Sequence, residues 1–184
     1  MAGISEAAPE PVDDEPVTAP VETRFAGPWL IPDRDYLSFV SRLFAVAERR
    51  CLVSVFLVSA PWRERERVMN GLLHELAAAT RRGIDARLLV GGAQSNPLMV
   101  QLAQAARTRA RALHVPCRWI TSIPRVAGHS KVVICDDNVL VGSHNWSESG
   151  RDDPGDSVYV TSGSLGRLLD RRFRQQWVSA GALG

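Results

Sequence analysis

Lysine is almost absent from this chain. Lys131 is its single lysine among 184 residues, whereas the other 21 basic residues are arginines. A composition that uses arginine for general positive charge excludes a lysine-rich surface, and the one lysine that it keeps indicates a position that needs a compact ammonium group rather than a planar guanidinium. Lys131 lies two positions after His129. This pair is therefore the first candidate for a specific chemical role.

Cysteine is also scarce. Cys51, Cys117 and Cys135 are odd in number and scattered, and the first and third lie in apolar runs, where a buried free thiol is the usual state. No group of cysteines and histidines has the spacing of a zinc site. We therefore expect a reducing, cytoplasmic setting, and neither a metal ion nor another cofactor.

Long apolar segments are missing as well. The longest uncharged run, residues 88–106, contains glycine, proline, asparagine and glutamine side chains that the core of a bilayer disfavours. The start of the chain lacks the basic residues and apolar stretch of a secretory signal. The sequence thus predicts a protein that does not associate with a membrane.

The first 24 residues differ in composition from the rest. They hold six acidic residues, one arginine and four prolines, a composition that cannot bury enough apolar surface to fold. We predict a disordered acidic tail over residues 1–24 and one catalytic domain over residues 25–184. Because the tail carries −5 and the whole chain +2, the domain carries +7. Such a domain is expected to bind a polyanion, and the tail to shield its basic face until nucleic acid displaces it.

Two kinds of apolar pattern alternate along the domain. Continuous apolar runs predict buried strands, and apolar residues at helical spacing predict helices between them. This alternation indicates an α/β fold, a layered sandwich with a central mixed β-sheet flanked by helices. The predicted elements are a helix after Pro32, strand 51–58, helix 63–81 ended by Gly83, strand 84–90, helix 97–113, strand 115–120, a hairpin, strand 157–161 and a C-terminal helix that contains Leu165 and Trp177.

The predicted hairpin contains the most informative stretch. Residues 131–135 form an apolar run rich in β-branched side chains, and residues 139–141 form a second one. Between them, Asp136, Asp137 and Asn138 are residue types that turns prefer. The two runs are therefore expected to pair as antiparallel strands.

The open edge of this hairpin gathers four polar side chains. Because side chains two positions apart on a strand share a face, His129 and Lys131 project together, and the returning strand delivers Ser143 and Asn145 to the same edge. An imidazole can act as a nucleophile or a general acid. The ammonium, hydroxyl and carboxamide are donors suited to the non-bridging oxygens of a phosphate. The arrangement points to phosphate chemistry.

This segment resembles the signature of the phospholipase D superfamily, which reads His-x-Lys, four residues, Asp, and later Gly-Ser-x-Asn. The matching residues are His129, Lys131, Asp136, Gly142, Ser143 and Asn145. The resemblance implies the layered α/β fold of that superfamily. It also implies a metal-independent phosphodiesterase in which the first histidine of the motif attacks phosphorus and forms a phosphohistidine.

Two features depart from the usual pattern of that superfamily. Five residues separate Asp136 from Gly142, where about six are usual. Asp156 stands where the superfamily has an acidic residue that orients the nucleophilic histidine, and glutamate is the commoner choice there. The resemblance implies that Asp156 accepts a hydrogen bond from the nitrogen of His129 that does not attack.

Other candidates have weaker signals. Asp136 lies at the far end of the first strand of the hairpin, so we assign it chiefly to the turn or to supporting hydrogen bonds. Arg125, in the loop that enters the motif, is a candidate for substrate binding. Trp146 is another, by stacking, although packing beside the site explains it equally well. His144 points away from its two neighbours if the segment is extended, and we leave it out of the predicted site.

Three functions remain open from the sequence. The first is a nuclease that hydrolyses phosphodiester bonds of DNA or RNA, the second a lipid phosphodiesterase, and the third a non-catalytic nucleic-acid-binding subunit of a larger assembly. The basic domain and the lack of an amphipathic anchor favour nucleic acid.

A homodimer with one shared active site is also expected. One His-x-Lys motif supplies one catalytic histidine, whereas in-line displacement at phosphorus needs a nucleophile on one side and an acid on the other. A two-fold axis places a second copy of His129 across from the first without a further motif in the sequence.

Overall fold

The computed structural model describes residues 28–58, 67–91, 96–120, 129–146 and 155–181. The predicted tail, residues 1–24, lies outside them. The elements in chain order are β1 (Trp29–Pro32), α1 (Asp33–Val46), β2 (Arg50–Val55), α2 (Arg67–Arg81), β3 (Asp85–Val90), α3 (Pro97–Ala112), β4 (Cys117–Trp119), β5 (Val132–Cys135), β6 (Asn138–Gly142), β7 (Asp156–Thr161) and α4 (Gly163–Gly181).

The strands of these ranges form one sheet, in the order β1-β7-β6-β5-β2-β3-β4. β2, β3 and β4 run parallel, with α2 and α3 as their connections. β5 pairs antiparallel with β2, and β6, β7 and β1 continue the antiparallel half. The predicted α/β fold with a central mixed sheet is confirmed, and the β5–β6 hairpin lies in the middle of that sheet.

The two faces of the sheet carry separate cores. Neighbouring residues of β2 illustrate the division, because side chains alternate along a strand: Val53 packs with α1, α2 and α3, and Leu52 packs with α4. The core under α4 also contains Ile134, Phe173 and Trp177. Among the described helices, none combines the length and the apolar character that crossing a bilayer requires.

α4 leaves part of its face of the sheet uncovered. Val141 of β6, Val158 of β7 and Leu30 of β1 lie side by side in the strand register, next to Val132 of β5. Val132 packs into the core under α4, so this row lies on the α4 face. The side chains of Val141, Val158 and Leu30 are 42%, 42% and 57% exposed. They form an apolar row in contact with water beside the hairpin.

Three details differ from the sequence prediction or sharpen it. β1 was not predicted, because four residues ending in proline show too little alternation, and the strand depends on pairing with the distant β7. β2 ends at Val55, earlier than predicted, and Val58 forms an isolated bridge with Trp146. Gly83 follows α2 with φ of 84°, the left-handed conformation that commonly ends a helix, as predicted.

Candidate active site

The two strands of the hairpin end at one edge of the sheet. Lys131 immediately precedes β5, and its carbonyl accepts a hydrogen bond from the N–H of Gly142, the last residue of β6, at 3.1 Å. His129 lies just before this pair of residues, and Ser143 and Asn145 lie just after it. We call this end of the hairpin, with His129, Lys131, Ser143 and Asn145, the open end. The antiparallel pairing brings the four predicted residues to this edge.

His129 and Lys131 are in direct contact. The Lys131 Nζ lies 3.0 Å from Nδ1 of His129 and donates to the His129 carbonyl oxygen at 3.1 Å. A charged ammonium has no lone pair, so Nδ1 must be the acceptor in this contact, and the proton of a neutral ring is then on Nε2. In this resting arrangement the lone pair of the imidazole faces lysine rather than open solvent.

Phe56, just after β2, lies against both residues and was missed by the sequence analysis. Its ring centroid is 4.5 Å from that of His129, and the Lys131 Nζ lies 5.4 Å from it, within the range of a cation–π contact. Partial burial lowers the pKa of Lys131 below its ordinary value. An apolar ring thus restricts the imidazole and removes water from one side of the ammonium.

Asp156 does not form the predicted contact with His129. Its side chain is exposed at the start of β7, and the described residues contain no hydrogen bond between the two. The sheet order gives the reason: β6 separates β7 from β5, and two strand spacings amount to about 9–10 Å. A short aspartate side chain alone does not close that distance, so the predicted contact requires the imidazole of His129 to turn towards β7. The backbone carbonyl of Asp156 instead accepts a hydrogen bond from the N–H of Ser143 at 3.4 Å. The catalytic role of the carboxylate stays a prediction.

Ser143 and Asn145 differ in how they are held. Ser143 is exposed. The Oδ1 of Asn145 accepts a hydrogen bond from the N–H of Leu57 at 3.2 Å, so the side chain is tied to the segment after β2. Because the carbonyl oxygen of the amide is used in this way, the amide NH₂ is the part of the side chain that can act as a donor at the open end.

His144 is the centre of a buried polar network that the sequence analysis did not identify. The side chain is 3% exposed. Its Nε2 lies 2.7 Å from Oδ1 of Asp33 in the first turn of α1, and its Nδ1 lies 2.8 Å from Oγ of Ser157 in β7. Its ring stacks on Tyr36 at 4.2 Å, and burial raises the pKa of that tyrosine to about 12. His144 points away from the open end, as expected, and anchors the backbone between Ser143 and Asn145.

A pocket of about 310 Å³ lies between the open end and α4. His129 and Lys131 line it from the hairpin, and Arg172 and Gln176 line it from α4. Neither α4 residue was predicted, because the approach of this helix to the motif is a long-range packing event with no local signature. The pocket therefore offers space for a group held beside His129 and Lys131.

Comparisons with known proteins identify the family of this chain. A family model described as "Cardiolipin synthase, PLD-like domain" matches residues 40–177. The match includes the hairpin and most of α4. The chain belongs to the PLD-like family.

Solved structures show the same fold as this PLD-like chain. It is similar to a phospholipase D family member, Nuc, from Salmonella typhimurium, at 19% identity and a TM-score of 0.64, over 83% of this chain and 96% of that one. NucT from Helicobacter pylori is similar at 14% identity and a TM-score of 0.59, over the same shares of the two chains. A phosphatidylserine synthase from Haemophilus influenzae is similar at 13% identity and a TM-score of 0.55, over 78% of this chain and 35% of that one. No curated protein matches the chain at comparable significance.

Two predicted substrate-binding residues have different outcomes in the PLD-like fold. The prediction that Trp146 stacks on a substrate is wrong, because its side chain is fully buried. Its Nε1 donates to the Tyr36 hydroxyl at 3.3 Å and its ring meets Phe44 edge-on, so it packs in the core behind the site. Arg125 lies outside the described residues and stays a prediction.

Asp136, the acidic residue of the motif, lies at the turn of the hairpin rather than at the open end. Its carboxylate accepts hydrogen bonds from the backbone N–H groups of Glu48, Arg49 and Arg50 at 2.9–3.0 Å. Its φ of 54° is in the left-handed region, which aspartate tolerates better than most residues. These contacts agree with the supporting role that its position predicts, and they join the hairpin to the start of β2.

Proposed function

We propose that this PLD-like chain is a metal-independent phosphodiesterase that hydrolyses the phosphodiester bonds of nucleic acid. The observation that carries the proposal is the contact between His129 and Lys131 at the open end. It brings an imidazole and an ammonium side by side, and Ser143 and Asn145 just after the neighbouring strand add further donors.

The proposed reaction has two steps at one phosphorus atom. A lone pair of His129 forms a P–N bond while the bond to the leaving oxygen breaks, and a second imidazole gives that oxygen its proton. Water then attacks phosphorus, transfers a proton to the second imidazole and releases His129. Lys131, Ser143 and Asn145 donate to the non-bridging oxygens as charge develops on them.

Substrate binding must first change the resting contact of His129. Attack by Nε2 requires the ring proton on Nδ1, whereas Nδ1 now accepts from Lys131. The oxygens of a phosphodiester anion are stronger acceptors for the ammonium than a neutral imidazole. Their arrival therefore draws the lysine away, and we propose that the ring, with its proton on Nδ1, then donates a hydrogen bond to the Asp156 carboxylate.

Nucleic acid is favoured over lipid as the substrate by charge. The chain outside residues 1–24 carries +7, and Arg172 adds a guanidinium to the lining of the pocket that Lys131 also lines. Basic side chains beside a groove are the main source of affinity for a phosphate backbone. A lipid phosphodiester is the alternative, because the likeness to a phosphatidylserine synthase is of similar strength.

The second imidazole is proposed to come from a second copy of the chain. All four histidines lie in the described residues, and His129 is the one at the open end. His144 is buried with both nitrogens engaged, His74 lies beside Arg109 of α3, and His114 follows that helix. One chain thus offers one imidazole at the open end. The bare apolar row of Leu30, Val158 and Val141 beside the hairpin supports a partner on this side.

One assay tests the activity and its substrate class. The purified chain is incubated in EDTA with labelled single- and double-stranded DNA, RNA and phosphatidylcholine. We expect cleavage of nucleic acid, loss of cleavage in His129→Ala, and normal cleavage in the control His74→Gln, an exposed histidine on α2. Binding without cleavage would instead support a non-catalytic subunit, and cleavage of phosphatidylcholine alone would support the lipid alternative.

A mixing experiment tests the shared site. Excess His129→Ala is added to a fixed amount of wild-type chain under conditions that allow subunit exchange. If each site needs two copies of His129, activity falls as mixed dimers form, whereas excess His74→Gln does not lower it. Full activity at every ratio, or a fully active monomer, would contradict the dimer.

A further inference from the structure

The pocket beside the open end has an apolar floor. Val132 and Ile134 of β5 and Phe173 of α4 lie at its base, and the latter two are buried in the core under α4. Polar groups stand at its sides, so the cavity is amphipathic. Its volume of about 310 Å³ is at the lower end of the range for small-molecule pockets, about 300–1,000 Å³. A single flat ring system with a few polar atoms fits such a space better than a chain or a base pair.

Ser54 is the unexpected residue of this pocket. It lies in β2 opposite Val132, and it lines the cavity. The residue is 5% exposed, and its hydroxyl finds no hydrogen-bond partner in the described part of the chain. A buried hydroxyl without a partner destabilises a folded protein, so such a group calls for an explanation. An arriving ligand that pairs with the hydroxyl provides one.

Two α4 side chains complete the polar side of the pocket. Arg172 and Gln176 are four residues apart and therefore lie on the same side of the helix, and both line the cavity. Arg172 is exposed and Gln176 is half-buried. An amide presents both a donor and an acceptor, the pair of functions that the edges of nucleobases require. A guanidinium at the rim suits a phosphate further along a strand.

We propose that this pocket is a subsite for the nucleobase of the nucleotide attached to the scissile phosphate, with Ser54 and Gln176 on the base and Arg172 on the backbone. This inference rests on the proposed function. The base lies on the apolar floor while its phosphate meets His129 and Lys131, which line the same cavity. A base held there cannot be stacked and paired in a duplex, so the subsite requires a single-stranded or unstacked nucleotide.

Three phosphodiesters with one leaving group isolate the contribution of the base. They are methyl p-nitrophenyl phosphate, which has no base, and the 5′- and 3′-(p-nitrophenyl phosphate) esters of thymidine. Release of p-nitrophenolate gives kcat/KM for each, and the quantity of interest is the ratio of thymidine ester to methyl ester. We expect one of the two thymidine esters to exceed the methyl ester at least about tenfold in the wild-type chain.

The test protein is a double variant that combines Ser54→Ala with Gln176→Ala. The control is the single variant Gln175→Ala. Gln175 is exposed on α4 and does not line the pocket. The ratio should fall towards one in the double variant and stay unchanged in the control. Ser54→Ala alone should fold at least as stably as the wild type, because it removes an unpartnered buried hydroxyl. Thermal unfolding of each variant checks this.

The possible outcomes separate this inference from the proposed function. Equal rates on all three esters, or a ratio that the double variant leaves unchanged, would overturn the nucleobase subsite while the phosphodiesterase stands. A fourth substrate with the same leaving group, phosphatidyl-p-nitrophenol, tests the lipid alternative: faster turnover of this ester than of either thymidine ester would assign the pocket to a lipid and also overturn the nucleobase subsite. Absence of turnover on every ester would overturn the proposed function itself.

Discussion

The β5–β6 hairpin has polar side chains at both ends, and the two ends use them differently. At the turn, the Asp136 carboxylate accepts hydrogen bonds from three successive backbone N–H groups, those of residues 48–50. At the open end, the ammonium of Lys131 contacts His129 and the face of Phe56, and Ser143 is exposed. The carboxylate at the first end is bound by the protein's own backbone, whereas His129 and Ser143 at the second end are exposed.

This difference suggests a supporting role for the turn and supports the proposed chemical role of the open end. A carboxylate whose lone pairs are filled by backbone groups stabilises the fold and has little to offer a substrate. An ammonium that donates to a neutral imidazole can exchange this acceptor for a charged phosphate oxygen. We therefore expect substitutions at the open end to change activity, and substitutions at the turn to change stability.

Lys131→Arg should lower kcat/KM by about 10²–10³-fold, the usual cost of losing one positioned donor to developing charge. Charge is kept, but a planar guanidinium does not fit the place of a compact ammonium between His129 and Phe56. Steady-state kinetics on the preferred substrate measure the effect. Nucleic-acid binding at the same salt concentration should change little. A kcat/KM of the variant within twofold of the wild-type value would show that the position supplies only positive charge.

Asp156→Asn should lower kcat by about tenfold or more, because the proposed partner of the His129 Nδ1 proton is weakened. Stability should change by less than about 0.5 kcal/mol, since the side chain is exposed. Kinetics and urea unfolding on the same preparation give both values. A loss of stability with normal kcat would show that Asp156 supports the fold and takes no part in the reaction.

Asp136→Asn should lower the free energy of unfolding by about 2 kcal/mol, because it weakens charge-assisted hydrogen bonds to three backbone groups. Activity per folded molecule should stay close to that of the wild type. Asp137→Asn is the matched control in the same turn, since Asp137 is more exposed and pairs with Arg49 at 3.2 Å. A large fall in kcat with unchanged stability would place Asp136 in the chemistry after all.

His144→Phe should lower kcat about three- to tenfold with little change in KM. Phenylalanine preserves the stacking on Tyr36 but loses the contacts to Asp33 and Ser157 that hold the backbone between Ser143 and Asn145. His144→Gln keeps a donor and an acceptor and should recover part of the loss. If both variants are less stable but equally active per folded molecule, His144 serves only the fold.

The pH profile of kcat/KM should show an alkaline limb below the ordinary lysine pKa of about 10.4. Burial lowers the pKa of Lys131, and the donor form is the ammonium, so activity is lost as the pH rises through that lowered value. The residual activity of Lys131→Arg should lack this limb, because arginine stays charged. The same limb in both proteins would assign it to another group.

The sequence predicted the fold and the motif well because both are local. Apolar runs and helical spacing fixed most elements, and the hairpin brought His129, Lys131, Ser143 and Asn145 to one edge. The position of Asp156 was harder, since it depends on β6 lying between β5 and β7. Trp146 could have been placed correctly: the alternation that turned His144 inward also turns the residue two positions later inward.

The remaining site residues come from parts of the chain far from the motif. Phe56, Arg172 and Gln176 approach it through the packing of β2 and α4, which no local pattern encodes. In the sequence, Ser54 is one small residue in an apolar strand and gives no signal. The structure draws attention to it because its hydroxyl has no hydrogen-bond partner in the described residues.

The claim that the open end performs the chemistry through His129 is tested most directly by trapping the phosphorus adduct. A labelled phosphodiester is mixed with the chain under single-turnover conditions and quenched in alkali, and the modified peptide is located by mass spectrometry. The account predicts an adduct on the peptide that contains His129, present in His74→Gln and absent from His129→Ala. Turnover without any adduct, or an adduct on another residue, would contradict it.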